Sequence, residues 1–478
     1  MGNTAQSLAS TRIAALLDEN SFVEIGGCVS ARSTDFNMQQ AETPADGVIT
    51  GYGVIDGNLV YVYSQDASVL GGTIGEMHAK KISAIYDMAM KMGAPVIGLI
   101  DCAGLRLQEA TDALNGFGEI YRKQVLASGV IPQITAVLGT CGGGLAVSSA
   151  LTDFTFMESK KAKLFVNSPN ALDGNLASKC DTASAKFQSE EAGMADFTGT
   201  EEEIFAGIRE LICMLPANNE DDASYEECTD DLNRVCTDLA NAAGDTSILL
   251  SNIADDSVFV ETQADFAKEM VTGFVKLNGM TVGVVANRTE VYGEDGEKTA
   301  EFDAVLTVKG ARKAAKLVKF CDAFEIPVLS LTNVKGFKAT KCSERNIAKA
   351  AAELTYAFAD ATVPKVNVII GAAYGSAYVA MNSKAVGADM TFAWPTAEIG
   401  MMDAKSAARI MYPDADAAAL NEKAAEYAGL QSSVVSAAKH GYVDTIIEAE
   451  DTRKYVIGAL EMLFTKREDR PAKKHGTV

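Results

Sequence analysis

The feature that most constrains this chain is a repeat. VIPQITAVLGTCGGGLAV (130–147) recurs as TVPKVNVIIGAAYGSAYV (362–379), with Pro132 and Pro364 separated by 232 residues. Upstream, KISAIYDMAMKMGAPVIGLIDCAG (81–104) recurs as KAAKLVKFCDAFEIPVLSLTNVKG (313–336), and both Pro95/Pro327 and Gly104/Gly336 keep the spacing of 232. Earlier still, ITGYGVIDGNLVYVY (49–63) recurs as VTGFVKLNGMTVGVV (271–285), with Gly51 and Gly57 matched by Gly273 and Gly279 at a spacing of 222. One spacing held across two separate blocks means that a whole α/β unit is duplicated. Each copy reads as a hairpin, a helix, a buried strand ending in a glycine turn, a helix, and a second strand whose glycine turn opens a helix. The expected domains are 1–250 and 251–478, and 478 residues are in any case too many for one core. Between the copies, LPANNEDDASYEECTDD (215–231) reads as a solvated acidic loop.

The second strand and turn of each copy carry the chemistry. Gln124 to Thr152 has no charged residue, and Gly139, Gly142, Gly143 and Gly144 follow the apolar run Ile134 to Leu138. A strand that ends in glycines and opens a helix presents bare main-chain N–H groups, which serve as an anion or oxyanion site. The twin turn lies in Val366 to Ser383, also uncharged. Length and lack of charge would fit a membrane span as well. Pro132, Gln133, the glycines and the Ser/Thr content oppose that. Gly139-Thr140-Cys141-Gly142-Gly143 also has the outline of a nucleophile elbow. That chemistry needs a base, and His78, His440 and His475 are the only histidines, none in a suggestive setting. Cys141 therefore reads as a small buried residue.

A net charge of −22 opposes a nucleic-acid or anionic-membrane surface. The nine cysteines contain no C-x-x-C pair, so no metal site is expected and reduced thiols are. The N-terminus shows no signal-peptide pattern, and its Met-Gly start is taken as chance. A cytoplasmic location is expected, with peripheral attachment to a membrane complex as the alternative.

Several segments together resemble one family. They are DGVITGYGVIDGNLVYVYSQD (46–66), LGGTIGEMHAKKI (70–82), VLASGVIPQI (125–134), ALTDFTFM (150–157), KFCDAFEIPVL (319–329), FADATVPKV (358–366), FAWPTAEIGMMDAKSA (392–407) and RPAKKHG (470–476). The chain thus resembles the carboxyltransferase subunits of biotin-dependent acyl-CoA carboxylases and decarboxylases, such as the β subunit of propionyl-CoA carboxylase and the α subunit of methylmalonyl-CoA decarboxylase. The resemblance implies an α/β fold of two tandem ClpP/crotonase-like ββα-spiral domains. It implies a homo-hexamer, a dimer of trimers, with each active site between the N-terminal domain of one subunit and the C-terminal domain of another. It also implies transfer of a carboxyl group between biotin and the α-carbon of an acyl-CoA, with two main-chain oxyanion holes.

Carried over by position, the first hole falls on Gly143 and Gly144 and holds the coenzyme A thioester oxygen. The second falls on Ser376 and Ala377 and holds the biotin ureido oxygen. Arg32, Lys80, Lys81 and Arg106 lie in segments expected near the CoA end, with an ordinary structural role as the alternative for the arginines. Tyr374 and Tyr378 are candidates for the biotin pocket, with packing as the alternative. Ala89-Met90-Lys91-Met92 matches a biotin-attachment tetrapeptide but sits in a helical stretch, so biotin is expected on a separate carrier protein. Further expected partners are a biotin carboxylase subunit or a sodium-pumping membrane decarboxylase subunit.

Two departures affect the pocket. Asn333-Val334-Lys335-Gly336-Phe337 stands where propionyl-CoA carboxylases tend to have D-V-P-G-F, and Val379 stands where they often carry an acid. The acyl group, whether propionyl/methylmalonyl, acetyl/malonyl or glutaconyl, and the direction of transfer stay open. So does a non-catalytic assembly role. A crotonase-type hydratase or hydrolase is disfavoured, because no acid or base is placed near either turn.

Overall fold

The computed structural model describes residues 7–32, 36, 38, 41–221, 228–293 and 295–471. The Met-Gly start, residues 222–227 of the acidic stretch and most of the 470–476 motif lie outside them. The chain divides into two compact units, Met1–Ala223 and Ser224–Val478.

In the first unit, α1 (Leu8–Leu16) precedes the short edge strand β1 (Val23–Ile25). The hairpin β2 (Val48–Ile55) and β3 (Asn58–Gln65) closes on Asp56-Gly57, whose φ values of 46° and 88° are those a two-residue turn demands. Then come α2 (Glu76–Met92), β4 (Val96–Cys102), α3 (Ala110–Ala127), β5 (Gln133–Gly142), α4 (Gly144–Ala150), β6 (Phe154–Glu158), β7 (Lys163–Phe165), α5 (Ala185–Glu190), β8 (Phe197–Gly199) and α6 (Glu201–Met214). The sheet order is β1-β2-β3-β4-β5-β6-β8, with β7 also on β5. From β3 onward all pairings are parallel. Parallel strands are covered on both faces, which is why Val96–Ile100 and Gln133–Leu138 are buried without alternation.

The second unit repeats the plan. It runs α7 (Thr246–Ile253), β9 (Phe259–Thr262), the hairpin β10 (Met270–Leu277) and β11 (Met280–Asn287), a small ribbon β12 (Glu290–Tyr292) and β13 (Lys298–Glu301), α8 (Val308–Ala323), β14 (Val328–Val334), α9 (Lys341–Glu344) and α10 (Ile347–Asp360). It continues with β15 (Lys365–Tyr374), α11 (Gly375–Ala380), β16 (Met390–Ala393), β17 (Glu398–Gly400), α12 (Ala404–Met411), α13 (Ala417–Tyr427), α14 (Val434–Lys439), β18 (Thr445–Ile446) and α15 (Thr452–Leu463). Its sheet order is β18-β16-β15-β14-β11-β10-β9, with β17 on β15. The two units are thus tandem copies of one α/β spiral, as the repeat requires.

The paired glycines have one cause each. A Cβ on Gly51 would lie 2.2 Å from the carbonyl oxygen of Val23, and one on Gly273 would lie 2.2 Å from that of Val260. The edge strand crosses so close that only glycine fits.

Under the first sheet lies a buried ionic cluster. The Arg106 guanidinium reaches Asp46 Oδ1 at 2.5 Å and Glu109 Oε1 at 2.8 Å, and all three side chains are fully buried. His78 joins it through its main-chain N–H, which donates to Asp46 Oδ2 at 2.7 Å. Its ring is neutral by necessity. Nδ1 faces the Asp46 carbonyl oxygen at 2.9 Å, which can only accept, and Nε2 faces the Gln65 amide nitrogen at 3.3 Å, which can only donate. Burial, reinforced by the Arg106 charge, lowers its pKa to about 3. The unfolded chain therefore binds a proton at this site from the ordinary value of 6.5 downward, and the folded chain does so only near 3. Stability contributed here is present above pH 6.5 and is lost as pH falls toward 3, by on the order of 5 kcal/mol at full expression. Urea unfolding followed from pH 7 to pH 4 is expected to show a shallower acid loss in His78→Gln than in the native chain. Parallel slopes would exclude His78 as a source.

Candidate functional site

The site begins with a bend in β5. Its first half pairs with β6 (Ile134–Val137 on Phe154–Met157), and its end leaves β6 for β7 (Thr140–Gly142 on Lys163–Phe165). The register with β4 shifts at the same place, between Ile100 and Cys102. The cause is Asp101. Its Oδ1 accepts from the Thr140 N–H at 3.3 Å and occupies the space over Gly139, where a Cβ would lie only 2.0 Å away. Arg12 fixes the carboxylate from the other side at 3.2 Å, and the Asp101 N–H donates to Gln65 Oε1 at 3.3 Å.

The second unit uses the same device. Asn333 Oδ1 accepts from the Ala372 N–H at 3.0 Å and sits 2.6 Å from a Cβ on Gly371, and the Asn333 N–H donates to Asn287 Oδ1 at 3.0 Å. The departure to asparagine therefore keeps the acceptor that the bend needs. Lys335, just beyond, is exposed.

Past the bend, each strand turns into a helix at a left-handed glycine: Gly143 (φ 65°) before α4 and Gly375 (φ 60°) at the start of α11. Ser376 has no such φ, so a side chain is accommodated there without backbone strain. Gly144 and Ser376 are exposed, and Leu145 and Ala377 behind them are buried.

One expected donor is corrected. The Gly143 N–H donates to the Phe165 carbonyl oxygen at 2.9 Å and so is committed within the fold. Ala146 N–H is bonded back to Gly143 O at 3.1 Å. The first helical N–H groups, those of Gly144 and Leu145, have no acceptor within the helix. The spacing of 232, applied strictly, pairs Gly144 with Ser376 and Leu145 with Ala377. That signal was available in the sequence and points to the same pair.

The expected cations separate into two groups. Lys81 is buried, and its ammonium donates to the main-chain oxygens of Ala45 (2.9 Å) and Val48. Its repeat partner Lys313 does the same to Gln263 and Phe266 at 2.8 Å each. Burial lowers the Lys81 pKa to about 8. Arg106 is consumed by Asp46 and Glu109. Neither presents charge to a ligand, and the expectation that they face coenzyme A is withdrawn for both. Arg32 and Lys80 are half exposed and share Glu76, at 3.1 Å and 2.7 Å, with Asp112 also on Arg32. Such exposed pairs are screened by solvent and hold these cations only weakly.

In the second unit the Tyr374 hydroxyl donates to Glu398 Oε2. Burial, then Glu398, raises its pKa. Tyr378 packs its ring against the cluster of Ile369, Ala373 and Val434, and burial pushes its pKa up to about 12. Val379 is exposed on α11. Cys141 is fully buried with its thiol pushed up to about 12 by burial, which removes the nucleophile-elbow reading. Met90-Lys91-Met92 closes α2 and is helical. Among the described residues no helix is long and apolar enough to cross a membrane, and no group of three or more His, Cys, Asp or Glu is placed to hold a metal.

Comparison with known proteins places these features. The family described as carboxyl transferase domain matches residues 3–478. Methylmalonyl-CoA decarboxylase subunit alpha of Propionigenium modestum is 40% identical, over 98% of this chain and 92% of its own. Propionyl-CoA carboxylase beta chain of Roseobacter denitrificans is 40% identical, over 98% and 93%. A solved transcarboxylase 12S hexamer, with hydrolysed methylmalonyl-coenzyme A bound, is 36% identical and superposes with a TM-score of 0.92 over 98% of this chain and 92% of that one. The chain belongs to the carboxyltransferase family of biotin-dependent acyl-CoA carboxylases and decarboxylases.

The bend and the turn ask for glycine for different reasons, which gives a direct check. Gly143→Ala meets no atom within 4 Å and incurs only backbone strain, about 1–3 kcal/mol. Gly139→Ala drives a methyl into the Asp101 carboxylate and is expected to cost clearly more in denaturant unfolding. Equal losses would remove Asp101 as the cause of the bend.

Proposed function

We propose that the chain is the subunit that moves a carboxyl group between biotin, held on a separate carrier protein, and the α-carbon of a short acyl-CoA. The observation that carries this reading is the pair of matched helix starts, exposed at Gly144 and Ser376, in a chain aligned over nearly the full length of the named relatives. In this reading the N–H groups of Gly144 and Leu145 donate to the thioester oxygen. They stabilise the negative charge that grows there as the α-carbon becomes carbanionic, a contribution of the kind usually worth about 10²–10³ in rate per donor. Bound biotin supplies the ureido nitrogen on which the mobile carboxyl group is carried. The residues of the second turn fit its ureido oxygen: Ser376 and Ala377 offer adjacent main-chain donors, and Gly375 leaves no side chain in front of them.

Side chains close to the turns hold their protons at neutral pH. The Cys141 thiol and the Tyr378 hydroxyl are both pushed up to about 12, and the Tyr374 hydroxyl is committed to Glu398. The protein's contribution is thus binding, orientation and fixed dipoles rather than proton abstraction by a side chain. Arg32 and Lys80 are the cations left to meet the phosphates of coenzyme A. The likeness to the hexameric transcarboxylase supports the same assembly for this chain.

Equal identity of 40% to a decarboxylase subunit and to a carboxylase subunit supports either direction of transfer, so the carrier complex is a biotin carboxylase or a membrane decarboxylase. The chain is incubated with carboxyl-labelled methylmalonyl-CoA or malonyl-CoA, with and without free biotin. Biotin-dependent loss of label is the expected result. No loss from any short acyl-CoA would leave the assembly-subunit reading in its place. Ser376→Pro deletes one main-chain donor at a position in the first helical turn where proline is tolerated. It is expected to slow the reaction about 10²–10³-fold with unchanged thermal melting. Normal turnover would remove Ser376 from the site.

A further inference from the structure

One hydroxyl near the first turn is not used by the reading above. Tyr121, on α3, donates its Oη–H to the Gly144 carbonyl oxygen at 2.5 Å. That carbonyl belongs to the same peptide group as the Leu145 N–H. A strong bond to the oxygen of an amide fixes the amide plane and polarises its N–H. The ring is held by Phe117, centroid to centroid at 5.8 Å. Burial raises the Tyr121 pKa, so the hydroxyl keeps the proton it donates.

The same oxygen restricts position 144. A Cβ built on Gly144 would lie 2.8 Å from Tyr121 Oη, whereas its next neighbours, on Phe117, are 3.9 Å away. The second unit supplies the contrast. The residue 232 positions after Tyr121 is Glu353, which is drawn to Arg312 at 2.8 Å. The residue 232 positions after Gly144 is Ser376, which carries a side chain. Where the tyrosine is present the turn has glycine, and where it is absent the turn has serine.

We propose that Tyr121 is a positioning residue of the first turn, orienting the Gly144–Leu145 peptide and obliging position 144 to be glycine. The proposal rests on the placement of the thioester at α4, and its test separates the two. Tyr121→Phe keeps the ring and removes the hydroxyl. In the full chain, with methylmalonyl-CoA and free biotin, kcat and kcat/KM are expected to fall together by about three- to tenfold, with KM and thermal melting unchanged. Gly144→Ala is expected to fall further. The double variant Tyr121→Phe/Gly144→Ala is expected to recover to the level of Tyr121→Phe alone, since the atom met by the methyl is gone. The rescue reads the steric restriction on position 144, and the loss of kcat at unchanged KM and melting reads the orientation of the peptide. Normal kcat in Tyr121→Phe, or a double variant no better than Gly144→Ala, overturns the role of Tyr121. Native turnover in a folded Gly144→Ala overturns the placement of the thioester at α4 itself.

Discussion

The structure of each unit depends on one side-chain oxygen placed where a β-ladder bond should be. Asp101 in the first unit and Asn333 in the second accept from a main-chain N–H of the neighbouring strand, at Thr140 and Ala372. A side chain in that place shifts the register, forbids a Cβ at Gly139 and Gly371, and lets the strand exchange one partner for another. Without the bend the strand would continue along β6 or β16. With it, the strand end is carried to β7 or β17, and the left-handed glycine then opens a helix toward solvent. The amides of Gln65 and Asn287 complete the device by accepting the N–H groups of Asp101 and Asn333. Strand pairing, turn and exposed donors follow from one buried acceptor per unit.

Much of this was legible in the sequence. The constant spacing of 232 identified two copies of one unit, and Asp56-Gly57 marked the hairpin that β2 and β3 form. What could not be read was which N–H remained available. The family resemblance, carried over by position, assigned Gly143 as a donor, and the glycine cluster around it was compatible with that. The Gly143 N–H is committed because β7, a strand of three residues with weak patterning, brings the Phe165 carbonyl beside it. Periodicity does not report such contacts, since they depend on where a short strand lands.

The cations show a related effect. Arg106 and Lys81 lie in segments expected near the CoA end, which made them candidates for coenzyme A. Their counter-groups come from elsewhere: Asp46 from the loop before β2, and main-chain oxygens of Ala45 and Val48. A buried cation must have its donors satisfied within the fold, because leaving a charge unpaired there costs several kcal/mol. Lys313, at the matching position of the second copy, was the sequence signal of this structural role. A residue that recurs at the repeat spacing in both copies is explained first by what both copies share, which is the fold.

Differences between the copies carry the converse implication. The acceptor at the bend is a carboxylate held by Arg12 in the first unit and a neutral amide in the second, which needs no cation. The position two residues on differs too: Ala103 in one copy and the exposed Lys335 in the other. The helix start is glycine under a tyrosine hydroxyl in one copy and serine in the other, where the position matching the tyrosine is a glutamate paired with arginine. The bends are geometrically alike, so the fold does not require these changes. They alter the charge and the side-chain volume around two otherwise equivalent pairs of N–H groups. On the proposed reading, in which the two turns receive a thioester and a urea, such asymmetry is what would tell them apart, because the N–H groups alone do not distinguish the two carbonyl groups.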